Sequence, residues 1–305
     1  MSQSSAPGTP RPAFNPRIDP ARDRRRLILY FGGLIAFYVG VILIARPDWG
    51  GGEDELQKIA FGLMFAPTVG ALLAAVFGPG VIRFGTPNWW LLAAFVPPLA
   101  IAVVTLVASA TGEVELHAGK LTVSLAMIVP ASIISSISAV GEEIGWRGFL
   151  WPLLRRRATF VVSSAVMFVV WWLYHAPLTI AGLYGFMGGL PAFTVAILGF
   201  VLFVGVLTER SRSIWPSVLA HGSWNALVGT SYAWQGKDED QGFVGSRYLL
   251  GEFGWLAAGT MLLIGLGFAW WHLRTPTKDE ISPSRPTGYD DPVQWLWFRR
   301  APKSA

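Results

Sequence analysis

Six polar residues stand in or beside stretches that are otherwise apolar: Glu142, Glu143, Arg147, His175, His221 and Asn225. An ionisable group at the centre of a membrane helix costs about 2.5–3.5 kcal/mol on insertion scales, so one found there is read first as functional. Spacing sorts the six. In Gly141-Glu142-Glu143-Ile144-Gly145-Trp146-Arg147, Glu143 and Arg147 are i,i+4 and can pair along one helix face. Glu142 is turned ~100° from that face, which leaves it as a carboxylate able to take and return a proton. His175 follows Trp171 by four residues, and His221 and Asn225 are again i,i+4, an imidazole beside a carboxamide. Singly, each has a plainer reading: a charge cluster at a helix end, a histidine bonded to a neighbouring helix, polar glue between helices. Together they supply a candidate base, an imidazole to share a water, and two donors for a developing oxyanion.

The elements that must position these groups are membrane helices. Of 305 residues 52% are hydrophobic and 14% charged, and the mean hydropathy is +0.46, a composition no soluble globule of this size shows. After a basic, Pro- and Ser-containing segment (1–26, expected to be a disordered cytoplasmic tail), apolar runs follow at 27–45, 59–82, 89–110, 121–141, 158–178, 190–207, 214–230 and 253–272. Each is near the ~20 residues that cross roughly 30 Å of hydrocarbon. The reading is an all-α polytopic membrane protein of about eight transmembrane helices, residues 27–272, with the active site inside the bundle and a cytoplasmic tail at 273–305. Pro130 and Pro216 kink or start their runs, and Pro177 is expected to loosen or end its helix just beyond.

Charge gives the orientation. Only Arg46, Lys58, Lys120, Lys237 and Arg247 of the 24 Lys and Arg fall on one set of alternate connections; the rest fall on the other, with both tails. Short cytoplasmic loops collect Lys and Arg, so both termini are expected in the cytoplasm and the protein in the cell membrane. The net charge of +5 is therefore topology and not affinity for nucleic acid. The absence of cysteine excludes disulfides, thiolate metal sites and cysteine nucleophiles. An aromatic patch at Trp295–Phe298 beside Arg299 and Arg300 is read as part of a loosely ordered tail.

The three motifs, in this order, resemble those of the CPBP family of intramembrane proteases, which includes type II CAAX prenyl endopeptidases and bacteriocin-processing or self-immunity proteins. Glu142-Glu143-x-x-x-Arg147, followed by Gly148-Phe149-Leu150, matches one motif. His221-x-x-x-Asn225 matches another. Trp171-x-x-x-His175 matches the third with Trp in place of Phe, a change expected to matter little for the chemistry. The match covers about residues 121–230. The resemblance implies peptide-bond hydrolysis within the membrane: Glu142 as general base with His175 on the attacking water, His221 and Asn225 as oxyanion donors, and Arg147 holding Glu143. No cofactor is expected, with zinc or another divalent metal as the alternative, since two His and a carboxylate are a zinc-like set. The expected partners are a peptide or membrane-protein substrate, arriving laterally or from the cytoplasmic side, and the lipid bilayer. His-Glu-x-x-His and Gly-x-Ser-x-Gly are absent, and Tyr289-Asp290 lies in the polar tail, which argues against other intramembrane protease types. Two rival classes stay open: a non-proteolytic scaffold or bacteriocin self-immunity protein, and a proton-coupled transporter. Counted along straight helices from their basic ends, Glu142, His175 and His221 fall ~20, ~26 and ~14 Å deep, so tilt or an interfacial stretch at 148–157 is needed to level them.

Overall fold

The computed structural model of the chain describes residues 20–75, 88–155, 157–230, 232–234 and 242–275. Among these the apolar runs are helices: α1 (Pro20–Ala45), α2 (Glu53–Met64), α3 (Ala66–Ala75), α4 (Asn88–Ala110), α5 (Ala118–Gly145), α6 (Trp151–Arg155), α7 (Phe160–Ile180), α8 (Leu190–Ser211), α9 (Trp215–Thr230) and α10 (Trp255–Arg274). α2 and α3 together make one crossing. A π-helical turn, Trp146–Leu150, joins α5 to α6 in one helical run of 38 residues. The chain is an all-α polytopic membrane protein, with seven runs among the described residues long and apolar enough to span a bilayer. The expected eighth, α9, has 16 residues, ~24 Å of helix against roughly 30 Å of hydrocarbon. It is sheltered from lipid, packed against α5 and α4 with most of its side chains buried. The outer helices instead turn Leu, Ile and Val outward, as Val123, Leu125, Val129, Ile133, Ile134 and Ile137 of α5 do.

Proline accounts for several boundaries. Pro67 has no N–H for the carbonyl of Leu63, four residues back, and the crossing breaks between α2 and α3 at Phe65. The orphaned Leu63 carbonyl accepts instead from the Tyr174 hydroxyl of α7. Pro216 is the second residue of α9, a start as expected. Pro130 does not interrupt α5, and α7 runs three residues past Pro177. Residues 20–26, read as disordered tail, are the first turns of α1: Asp23 is buried and pairs with Arg157 at 2.8 Å, which holds the helix start in place. Residues 1–19, Arg83 and the tail beyond Thr275 with Trp295–Phe298 lie outside the described residues.

The bundle has two distinct ends. At one, Gly50 N–H donates to Ala181 O and Gly52 N–H to Gly182 O, joining the α1–α2 and α7–α8 connections. There too, strand β1 (Val114–Leu116) pairs antiparallel with β3 (Phe243–Gly245), which pairs parallel with β2 (Tyr232–Trp234). Strands of three residues carry no readable periodicity, so the sequence did not announce them. At the other end Arg155 donates to Glu209, and His272 Nε2 lies 3.1 Å from the same carboxylate. Arg210 Nε donates to His272 Nδ1 at 3.0 Å, so the neutral ring of His272 carries its proton on Nε2. This buried cluster ties α6, α8 and α10 together at the end where the chain's tails begin.

Candidate active site

The site forms where helices approach to backbone contact. A Cβ on Gly145 would stand 2.4 Å from the Pro67 carbonyl carbon, and one on Gly222 would stand 2.7 Å from Ser136 Cα. Only glycine allows α5 to lie so close to α3 and α9 so close to α5, the small-residue contact by which membrane helices pack. The closeness of α9 and α5 brings His221 within reach of Glu143.

Glu143 is the hub. Its Oε1 accepts from Arg147 Nη1 at 3.0 Å along the same helical run, and from His221 Nδ1 at 3.0 Å across to α9. Glu143 is 0% exposed and Arg147 1%, and neither lines the cavity on which Glu142 opens. The Arg147 guanidinium also lies 4.4 Å from the centroid of the Trp171 ring. The i,i+4 pair expected from spacing is therefore present, with a third member from another helix.

Glu142 is buried as well but turns the other way. Its Oε2 accepts from the indole N–H of Trp146 at 3.0 Å and of Trp171 at 3.1 Å, so its expected independence of Arg147 comes with two neutral donors. Among the described residues both donors go to Oε2. His175 Nδ1 lies 2.9 Å from the Trp171 carbonyl; a carbonyl only accepts, so Nδ1 carries the proton and Nε2 the lone pair.

Glu142, His175, His221 and Asn225 all line one cavity of about 240 Å³. The unequal depths counted along straight helices do not separate them: the π-helical turn and the short, recessed α9 bring the four to a common space. Most of the remaining wall is apolar and aromatic, with Leu56, Leu63, Tyr174, Phe193 and Phe200 among its residues. It reaches toward the end of the bundle that carries the 46–52 and 181–189 connections, because Leu56 is near the start of α2 and Tyr184 lies in the second of those connections.

Two contributions are not legible in the sequence. Trp in place of Phe at position 171 brings an indole N–H that bonds the candidate base, which a phenyl ring cannot do. Glu252, in the connection before α10, also lines the cavity, its carboxylate accepting from Trp224 Nε1 at 3.1 Å and from the Tyr184 hydroxyl. Lying outside every apolar run, it gave no signal. For a metal ion, no group of three or more His, Asp or Glu among the described residues is gathered to hold one, so the arrangement does not fit the zinc-like set as it stands.

Residues 121–227 match the family described as type II CAAX prenyl endopeptidase Rce1-like, a stretch that contains all three motifs and the helices α5 to α9 almost entirely. No curated protein matches the chain.

Proposed function

We propose that the chain, whose residues 121–227 match the type II CAAX prenyl endopeptidase Rce1-like family, hydrolyses a peptide bond inside the membrane by a water activated on Glu142. The observation that carries this reading is the meeting of Glu142, His175 and His221, from three helices, on one cavity. A water between the Glu142 carboxylate and the lone pair of His175 Nε2 loses its proton to Glu142 as its oxygen attacks the scissile carbonyl carbon. The two indole donors on Oε2 hold Glu142 in one rotamer, so its position is set before substrate arrives. The proton taken by Glu142 then passes to the leaving amine.

His221 and Asn225, on one face of α9, are the oxyanion donors in this reading. His221 Nδ1 is committed to Glu143, so donation from Nε2 requires the doubly protonated ring. In that form Glu142, Glu143, Arg147 and His221 carry two charges of each sign, a balanced set, which is what burial demands. Glu143 and Arg147 are positioning residues, acting through His221 and Trp171.

Both termini belong in the cytoplasm on the positive-inside count, in the cell membrane, and the cavity then reaches toward the opposite face. In this reading the substrate enters laterally, one of the two routes expected from sequence, or from that face. The test is incubation of the purified chain in detergent with a quenched peptide library, the new termini read by mass spectrometry. Defined cleavage products support the hydrolase; a library left intact by a folded protein favours the non-proteolytic scaffold.

A further inference from the structure

Glu252 is the acidic group of the cavity that hydrolysis leaves unused. Its two oxygens each take one hydrogen bond, from Trp224 Nε1 and from the Tyr184 hydroxyl, and both donors are neutral. Among the described residues no Lys, Arg or His forms an ion pair with it, and no Lys or Arg lines the cavity. A carboxylate offers about four acceptor positions, so two hydrogen bonds leave it able to receive more. Glu142 differs: it stands beside the Glu143, Arg147 and His221 cluster, which brings cationic side chains to it. Glu252 is thus the carboxyl of the wall that no cationic side chain among the described residues backs.

Aromatic rings surround that charge. Tyr184 meets Phe193 edge-on at 5.6 Å between centroids and Phe253 at 5.1 Å, and Phe193 stacks on Phe253 at 4.4 Å. Trp224 and Tyr184, the two rings that bond Glu252, themselves line the cavity. Ring faces attract cations, and a carboxylate among several rings is the composition that binds an ammonium or guanidinium group. An anionic or neutral group seated here would instead bury Glu252 without a counter-charge.

We propose that Glu252, with the aromatic wall of Tyr184 and Trp224, is a subsite for a cationic side chain, so that the peptide cut by this chain carries a lysine or arginine within the cavity that holds the scissile bond. This rests on the hydrolytic reading for the peptide, and on the wall's charge and rings for its sign. A segment that enters carboxylate-first is disfavoured by the same charge.

The probes are a fluorescein-labelled Ala/Leu decapeptide with one central lysine and its twins with norleucine or glutamate in that place. Anisotropy reads their binding to the purified full chain in an uncharged detergent. The lysine peptide is expected to bind wild type roughly tenfold tighter than the norleucine twin, with the glutamate twin weakest. Glu252→Gln is expected to bring the lysine-to-norleucine ratio to about one, while Glu252→Asp, which keeps the charge, retains part of it. Equal binding of the twins by wild type, a ratio that survives in Glu252→Gln, or no binding of the lysine peptide overturns the proposal. Should Glu252→Gln not fold, the wild-type ratio decides through salt: it must shrink as ionic strength rises. Binding is read without cleavage, so a chain that selects lysine peptides but cuts none keeps this inference and loses the protease reading. A chain that cuts all twins alike does the reverse.

Discussion

Trp171 touches four of the groups that the hydrolytic reading employs. Its indole N–H bonds Glu142, its ring lies under Arg147, its carbonyl fixes the tautomer of His175, and its edge meets the His221 ring at 5.6 Å. Trp171→Phe keeps the ring and removes one donor. A hydrogen bond to a charged group contributes about 1.5–3 kcal/mol, so kcat is expected to fall roughly 10- to 100-fold with KM little changed, measured on whichever peptide the library yields. An unchanged kcat in a folded Trp171→Phe would show that the indole does not hold the base. At this scale the sequence was informative about residues on one helix and silent across helices. The i,i+4 spacing revealed Glu143 with Arg147 and His221 with Asn225. The bond from His221 to Glu143 spans 78 residues, and neither it nor the indole of Trp171 on Glu142 follows from any local pattern. Glu252 was hidden for another reason: in a polar connection an acidic residue is ordinary, and only the fold turns it toward a cavity.

Helix contacts decide whether these residues meet. Gly222 sits beside His221 and lets α9 touch the backbone of α5 at Ser136. Gly222→Ala forces the two helices apart, an overpacking that costs about 1–3 kcal/mol. The variant is expected to melt lower and to lose cleavage through displacement of His221 from Glu143; activity at the wild-type level would contradict the role given to this contact. At the opposite end Glu209 compensates Arg155 beside His272. Glu209→Ala removes the buried carboxylate that Arg155 pairs with and that lies 3.1 Å from His272 Nε2, so the melting temperature in detergent is expected to fall clearly. The folded fraction should still cut peptide, because the cluster lies away from the cavity. The helices themselves were legible, since apolar runs of membrane length have few alternatives. Their ends were less so. The start of α1 at Pro20 depends on Asp23 meeting Arg157, 134 residues away, and the break at Phe65 is stabilised by Tyr174 from α7.

For the whole molecule, orientation follows from charge. The end with the α1 start and the Arg155 and Arg210 cluster is the basic one, and the cavity reaches toward the other. The chain has no cysteine, so single cysteines report topology without background. In intact cells an impermeant maleimide is expected to label Ser246→Cys, exposed in the connection before α10, and to label Ala21→Cys only after permeabilisation. The reverse pattern would invert the bundle and return the cavity to the cytoplasmic face.

Whether Glu142 activates the water is decided by cleavage of the quenched peptide library by purified wild type and Glu142→Gln, matched for melting temperature, each with and without a strong chelator. Wild type is expected to cleave whether or not chelator is present, and Glu142→Gln not at all. Cleavage by Glu142→Gln at the wild-type rate would contradict the assignment of the base, and loss of wild-type activity with chelator, restored by zinc, would contradict the metal-free mechanism.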